Sequence, residues 1–298
     1  MCHQDVLESE PFVYREEIFE HIDNFIGWCK KYGINIVLNM HKAIGNYCDI
    51  QEDIQLLDSK ELQDRFVALW IAFEKRYNND NTIAFELLNE LRAVDNEKWN
   101  KLAERTINEI RALNKERKII VGPTCWNSPN QLENLRIFDD ENVIYTFHMY
   151  SPIKFTHQRD VLQPPMLYYN RDMPYPGDIE LYREWQRLVN DIPNAYSKYK
   201  LCDITYMRDA FKSTIDFINK HPDKILWCGE FGTIRHAKIE WRENWMRDVI
   251  TILKENDIPN CVWNYLSTPN DGNRFSLVDD DNRKILSDEL AKIIRGDV

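Results

Sequence analysis

Several chemistries leave no trace in this 298-residue sequence. There is no Gly-x-Gly-x-x-Gly and no Walker loop, so a nucleotide-binding sheet loses ground. His-Glu-x-x-His is absent and the histidines lack an obvious carboxylate trio, so no metal triad is evident. The cysteines (Cys2, Cys29, Cys48, Cys125, Cys202, Cys228, Cys261) are odd in number, widely spaced and without Cys-x-x-Cys. That argues against a zinc or redox motif. Several lie in apolar contexts, where reduced buried thiols are the simple reading and a reducing compartment is implied. Positive charge is short: 38 Lys and Arg face 49 Asp and Glu, for a net charge of −11. With no basic patch, nucleic acid is not an expected partner. No apolar run is long enough to span a membrane. The opening Met1–Glu8 stretch is not a signal peptide, so the chain as written reads as cytoplasmic, with secretion open only if sequence precedes Met1.

What is present reads as one globular domain over residues 1–298, with 43% hydrophobic and 29% charged residues. A neutral substrate such as a sugar fits this composition. Apolar spacing predicts helices over Tyr14–Tyr32, Lys60–Tyr77, Glu97–Lys115, Ile179–Asn190, Tyr206–Lys220, Lys238–Asn256 and Asp288–Arg295. A further short helix is expected from Ser128-Pro129-Asn130-Gln131, where a capping-box spacing precedes Pro at the first helical position. Strands are expected over Ile34–Met40, Ile83–Glu90, Lys118–Gly122, Asn142–Met149, Lys224–Gly229 and Asn260–Tyr265. A Pro- and Tyr-rich stretch from Ser151 to about Gly177 shows no period and reads as a long loop walling a site. Alternating strands and helices imply an α/β chain with a parallel sheet, and a (β/α)8 barrel is favoured. Only six of its eight strands are visible in the sequence.

In such a barrel the C-terminal strand ends open on one face, where chemistry collects. Here they carry His41, Asn89 with Glu90, Trp126 with Asn127, His148 with Tyr150, Glu230, and Trp263. Paired carboxylates among aromatic rings suit glycoside hydrolysis: one carboxyl protonates the leaving oxygen and the other attacks the anomeric carbon or activates water. Each residue has a plainer alternative. A strand-end Glu caps a helix or pairs with Lys, a lone His is usually a structural hydrogen-bonder, and a lone Trp is usually core. Glu86 is taken as a buried carboxylate that is either structural or supports the site from behind its contacting residues.

Four segments carry a family resemblance: Phe85-Glu86-Leu87-Leu88-Asn89-Glu90, Tyr145-Thr146-Phe147-His148-Met149-Tyr150, Phe155-Thr156-His157-Gln158 and Cys228-Gly229-Glu230-Phe231-Gly232. Together they resemble glycoside hydrolase family five, the cellulase family, and within it clostridial endoglucanase C-like members, from about Tyr14 to the C-terminus. The resemblance implies a retaining endo-β-1,4-glucanase acting on β-glucan by double displacement. It makes Glu90 the acid/base, on the fourth barrel strand, and Glu230 the nucleophile, on the seventh. Asn89 would bind the sugar 2-hydroxyl. His148 and Tyr150 would position the two carboxyls. His41 and Trp263 would line the subsite of the cleaved sugar, and Trp126 and Asn127 would contact substrate. The carboxyls of a retaining enzyme stand about 5–5.5 Å apart. No cofactor is implied.

The sequence departs from this family at its start. The first two βα units, on the order of 50 residues of a barrel of about 250, have no counterpart before Tyr14. With them goes an Arg close to the nucleophile. Asn39 and Ile44 stand where Asp and Pro are more usual around the third-strand His. Two alternatives therefore accompany the glucanase reading: a related β-glycanase acting on mannan, xylan or mixed-linkage glucan, or a truncated remnant that binds carbohydrate without cleaving it.

Overall fold

The structure, a computed structural model, describes residues 2–47, 54–93, 95–161, 164–189, 196, 198–267, 272 and 274–297. Cys48 and Asn190 lie outside these residues. The chain divides into two compact units, Met1–Phe147 with Phe217–Leu226, and His148–Asp216 with Trp227–Val298.

The first unit is built on parallel strands. Ile36–Lys42, Ile83–Glu86, Ile119–Val121 and Val143–Met149 (through Phe147) pair in sequence order, with Leu38 beside Phe85, Phe85 beside Ile119 and Ile120 beside Ile144. Parallel neighbours need crossovers, and helices Lys60–Tyr77 and Asn96–Leu113 supply two of them. Each starts on a side-chain cap: Ser59 Oγ accepts from Leu62 N–H, and Asp95 Oδ1 from Lys98 N–H. Helix Lys60–Tyr77 buries Phe66, Leu69, Trp70 and Phe73 on one stripe. The Trp70 ring lies 5.0 Å from that of Phe85, and its indole N–H donates to the Leu87 carbonyl at 3.2 Å. Burying an apolar side chain of this size contributes about 1.5–3 kcal/mol. One charged pair sits inside: Arg117 Nε donates to Glu74 Oε2 at 2.7 Å with both side chains fully buried. Of the four remaining guanidinium hydrogens one goes to Glu74 Oε1 at 3.2 Å and three to the carbonyls of Tyr77, Asp80 and Ile83, so the charge is fully bonded.

The second unit carries strands Ile225–Phe231 (from Trp227) and Asn260–Val262, parallel, with Cys228 beside Asn260 and Phe231 beside Val262. Helix Ile239–Glu255 joins them and buries Trp245, Met246, Val249, Ile250 and Leu253. Helix Asp288–Arg295 adds buried Leu290 and Ile293, and the Arg247–Glu289 ion pair at 2.7 Å links these two helices. An antiparallel pairing of Gly177–Asp178 with Leu201–Cys202 precedes helix Ile204–Ala210.

The structure corrects the sequence reading at several points. A seventh parallel strand, Cys2–His3, pairs with Met40 and Lys42; two residues are too few to show a period. The Ile83–Glu90 strand stops at Glu86 as a ladder. Ser151–Gly177 is not simply irregular, since it holds short helices at Ile153–Thr156 and Pro164–Tyr169. The single helix expected over Tyr206–Lys220 is two, Ile204–Ala210 and Lys212–Lys220, separated at Phe211. No side-chain cap forms at Ser128. Pro129–Asn134 is a 3₁₀ helix in which Gln131 N–H bonds the Ser128 carbonyl. Among the described residues, no helix is long and apolar enough to cross a membrane, and no disulfide joins the described cysteines.

Candidate active site

In the first unit the polar strand ends are wired together by side-chain amides. Beyond the ladder, Leu87 N–H still bonds Ile120 O at 3.0 Å and Asn89 N–H bonds Met40 O at 2.9 Å. The backbone is thus held on both sides until Glu90, which turns left-handed at φ +46°. That conformation costs a residue with a Cβ roughly 1–2 kcal/mol. Strain of this kind at the end of a buried strand points to a functional position. Asn89 is buried, and Asn39 Nδ2 donates to its Oδ1 at 3.4 Å. Asn39 Oδ1 in turn lies 3.2 Å from His41 Nδ1. A carboxamide oxygen only accepts, so Nδ1 of His41 carries the hydrogen. The His3 ring stands 5.8 Å from that of His41. Asn89 Nδ2, by contrast, has no hydrogen-bond partner among the described residues. Glu86 is buried, as a structural carboxylate would be.

Trp126 and Asn127 sit on an unusual turn. Cys125, Trp126 and Asn127 are all left-handed, with φ of 55°, 59° and 51°. Backbone bonds from Cys125 N–H to Ala93 O (3.2 Å) and from Trp126 N–H to Leu91 O (3.1 Å) hold the turn beside the Glu90 loop. Gly122 is required beneath it, because a Cβ there would lie 2.5 Å from Asn127 Oδ1. The result buries Asn127 and leaves Trp126 48% exposed.

In the second unit, His148 lies near the end of one strand, Tyr150 directly follows that strand, and Glu230 lies in another. Tyr150 OH donates to Glu230 Oε2 at 3.0 Å. His148 Nδ1 stands 3.5 Å from the same oxygen; the His148 side chain is 2% exposed and that of Glu230 14%. The Tyr150 hydroxyl thus fixes the orientation of that carboxylate oxygen. Next to Glu230 the Cys228 thiol donates to the Glu230 carbonyl at 3.6 Å, and burial pushes that thiol well above its ordinary range. Trp263 follows the Asn260–Val262 strand, and its N–H bonds Phe231 O at 2.8 Å. The Trp263–Asn264 peptide bond is cis.

The structure therefore brings Asn89, Glu90 and His41 to adjoining strand ends in the first unit. In the second it brings His148, Tyr150 and Glu230 into contact, with Trp263 bonded one residue beyond. Sequence reasoning assigned no role to Asn39, the bridge between His41 and Asn89, and treated it only as a departure. It also assigned none to Thr156, His157 and Phe275, which surround Tyr150. Phe155-Thr156-His157-Gln158 was visible as a motif, but its packing was not.

The model of Cellulase (glycosyl hydrolase family 5) matches residues 1–268. Endoglucanase C of Acetivibrio thermocellus is 36% identical over 296 residues, covering 97% of this chain and 83% of that protein. A hyperthermophilic endo-β-1,4-glucanase solved with substrate superposes with a TM-score of 0.78 at 21% identity, over 98% of this chain and 82% of its own. Thermotoga maritima Cel5A solved with mannotriose gives a TM-score of 0.74 at 24% identity, over 97% and 82%. These structures share this chain's fold, which is of the (β/α)8-barrel class.

Proposed function

The chain belongs to glycosyl hydrolase family 5 and is a glycoside hydrolase of the cellulase type, and from that membership we propose that it cleaves β-1,4-glucan internally with retention of configuration. Residues 1–298 act as one catalytic domain in this reading. The hydrogen bond from Tyr150 OH to Glu230 Oε2 carries it. A nucleophilic carboxylate must be ionised and aimed, and Glu230 has a phenol and an imidazole on one oxygen. Its other oxygen is the one assigned to attack the anomeric carbon.

Glu90 takes the complementary role. It protonates the leaving glycosidic oxygen in the first step and, once the glycosyl-enzyme has formed, removes a proton from the incoming water. Asn89 supports the sugar: its buried Nδ2 hydrogens have no described partner, a state that costs about 1–3 kcal/mol unless a ligand oxygen accepts them. The sugar 2-hydroxyl is the group assigned to it. His41, held through Asn39, and Trp263 line the subsite of the cleaved sugar. Trp126 and Asn127 bind substrate further out.

Product stereochemistry tests this reading. Proton NMR of early products from a soluble β-glucan is expected to show the β-anomer first, and Glu230→Ala and Glu90→Ala are expected to lose turnover. Initial release of the α-anomer, or undiminished turnover in both variants, would sink it. A related β-glycanase activity is a second reading, because the Cel5A structure with the same fold was solved with mannotriose. Carboxymethyl-cellulose, lichenan and mannan assayed side by side decide between them; hydrolysis of mannan alone would select the second.

A further inference from the structure

Tyr150 is held from behind by a short segment that the catalytic reading does not use. Thr156 Oγ1 donates to the Tyr150 carbonyl at 2.7 Å and lies 3.0 Å from His157 Nδ1. A hydroxyl has one proton to give. With that proton committed to a carbonyl, which only accepts, the His157 contact requires Nδ1 to carry a hydrogen and donate. The His157 ring is thereby oriented, and it meets the Tyr150 ring edge-on with centroids 5.0 Å apart and planes at 76°. Phe275 closes the group, 6.0 Å from Tyr150 and 5.1 Å from His157.

The same segment reaches the chain beyond Glu230. Ile234 N–H donates to the Thr156 carbonyl at 2.9 Å. Gln158, also buried, anchors the segment by exchanging two bonds with the Met173 backbone, at 3.1 and 3.2 Å. One turn of chain is therefore tied to the strand end bearing Tyr150 and to the loop following Glu230.

We propose that Thr156 and His157 are positioning residues for the hydrolytic reaction, fixing the Tyr150 phenol against the Glu230 carboxylate. The proposal rests on Glu230 being the nucleophile. A phenol that swings away by even 1 Å leaves the carboxylate misaimed, and misplacement on that scale costs up to about a hundredfold in rate. The bond it protects forms within the site, so its loss falls on turnover rather than on binding of the polysaccharide.

Thr156→Val removes the hydroxyl while keeping the shape, and Thr156→Ser restores it. Thr156→Val is expected to lower kcat about tenfold with KM within about twofold, while Thr156→Ser stays within about twofold of wild type in both. His157→Phe, which keeps a ring but not the Nδ1 hydrogen, is expected to behave like Thr156→Val. Neither change is expected to add more than about twofold to the loss in Tyr150→Phe, because all three act through one bond. Losses that multiply with Tyr150→Phe, equal activity in the valine and serine variants, or an effect on KM alone would overturn the proposal. If Thr156→Val does not fold, His157→Phe against Tyr150→Phe is read by the same criteria. Glu230→Ala assayed in parallel separates the two levels. Retained turnover there removes the nucleophile assignment, whereas an inactive Glu230→Ala beside a wild-type-like His157→Phe removes only the positioning role.

Discussion

A side chain on Gly232 would collide with the carbonyl oxygen of Trp263. The backbone two residues past Glu230 and the backbone of Trp263 therefore pack without room for a methyl group. Gly232→Ala is expected to push Trp263 from its place. The cost is roughly 1–3 kcal/mol of stability, as for other overpacked sites, with a fall in activity larger than the stability loss explains. Urea melts and assays on one preparation check this; a variant with wild-type turnover would show that Trp263 can move without consequence.

Arg117 and Glu74 form the buried ion pair under the Ile83–Glu86 strand, with the Arg117 guanidinium 4.5 Å from the Phe85 ring centroid. Arg117→Met leaves the Glu74 carboxylate buried without its partner and is expected to cost about 3–5 kcal/mol. Arg117→Lys recovers only part of this, since a point ammonium cannot reach Glu74 and three carbonyls in one plane. The midpoint of urea unfolding measures both. A midpoint unchanged in Arg117→Met would contradict the assignment.

Lys154 supplies a pH effect. Its ammonium lies 4.8 Å from the Trp185 ring centroid and 5.5 Å from that of Tyr196, and it has no carboxylate partner among the described residues. Burial pulls its pKa down to about 8. The folded state thus binds this proton less tightly than the unfolded chain, whose lysine titrates near ~10.4. Below pH 8 the folded state bears the full cost of the buried charge. As pH rises from about 8 towards 10.4 that cost is relieved and stability increases. Lys154→Met should flatten this rise: its Tm advantage over wild type is expected to be greatest at pH 7 and to shrink by pH 10. An advantage independent of pH would refute the account.

Trp126 is the most exposed of the substrate-contact candidates, on a turn of three left-handed residues. Trp126→Ala is expected to raise KM for a long β-glucan by roughly threefold to tenfold, the scale of one aromatic contact of about 1 kcal/mol, and to leave kcat nearly unchanged. A fall in kcat with constant KM would move Trp126 from substrate contact to the reacting centre.

The sequence was most legible where side chains repeat or stand out. Helices Lys60–Tyr77 and Asp288–Arg295 have the predicted limits, because long apolar stripes ended by polar caps leave little choice. Glu90 and Glu230 stand out as candidates because a carboxylate ending an apolar run has no packing reason to be there. Features set by tertiary contact were not legible. The break at Phe211 leaves the apolar period intact on both sides, so periodicity continues through it. Ile153–Thr156 is too short to display a period at all. Asn39 looked like a departure from family pattern, and only the fold reveals it bridging His41 to Asn89. Thr156 and His157 are ordinary polar residues until the Tyr150 ring is set against them.

The left-handed backbone at Glu90 has a consequence for how this position responds to selection. A chain selected only to fold would favour Gly or Asn there, since both accept that backbone more readily than Glu. Glu90→Gly is then the replacement of this proposed acid that the scaffold is expected to tolerate best, and Glu90→Val the one it is expected to tolerate least. A lineage released from the need for this carboxylate would drift towards glycine at this site, gaining robustness as it lost the acid proposed for it. The glutamate is a conformational burden that this chain still carries.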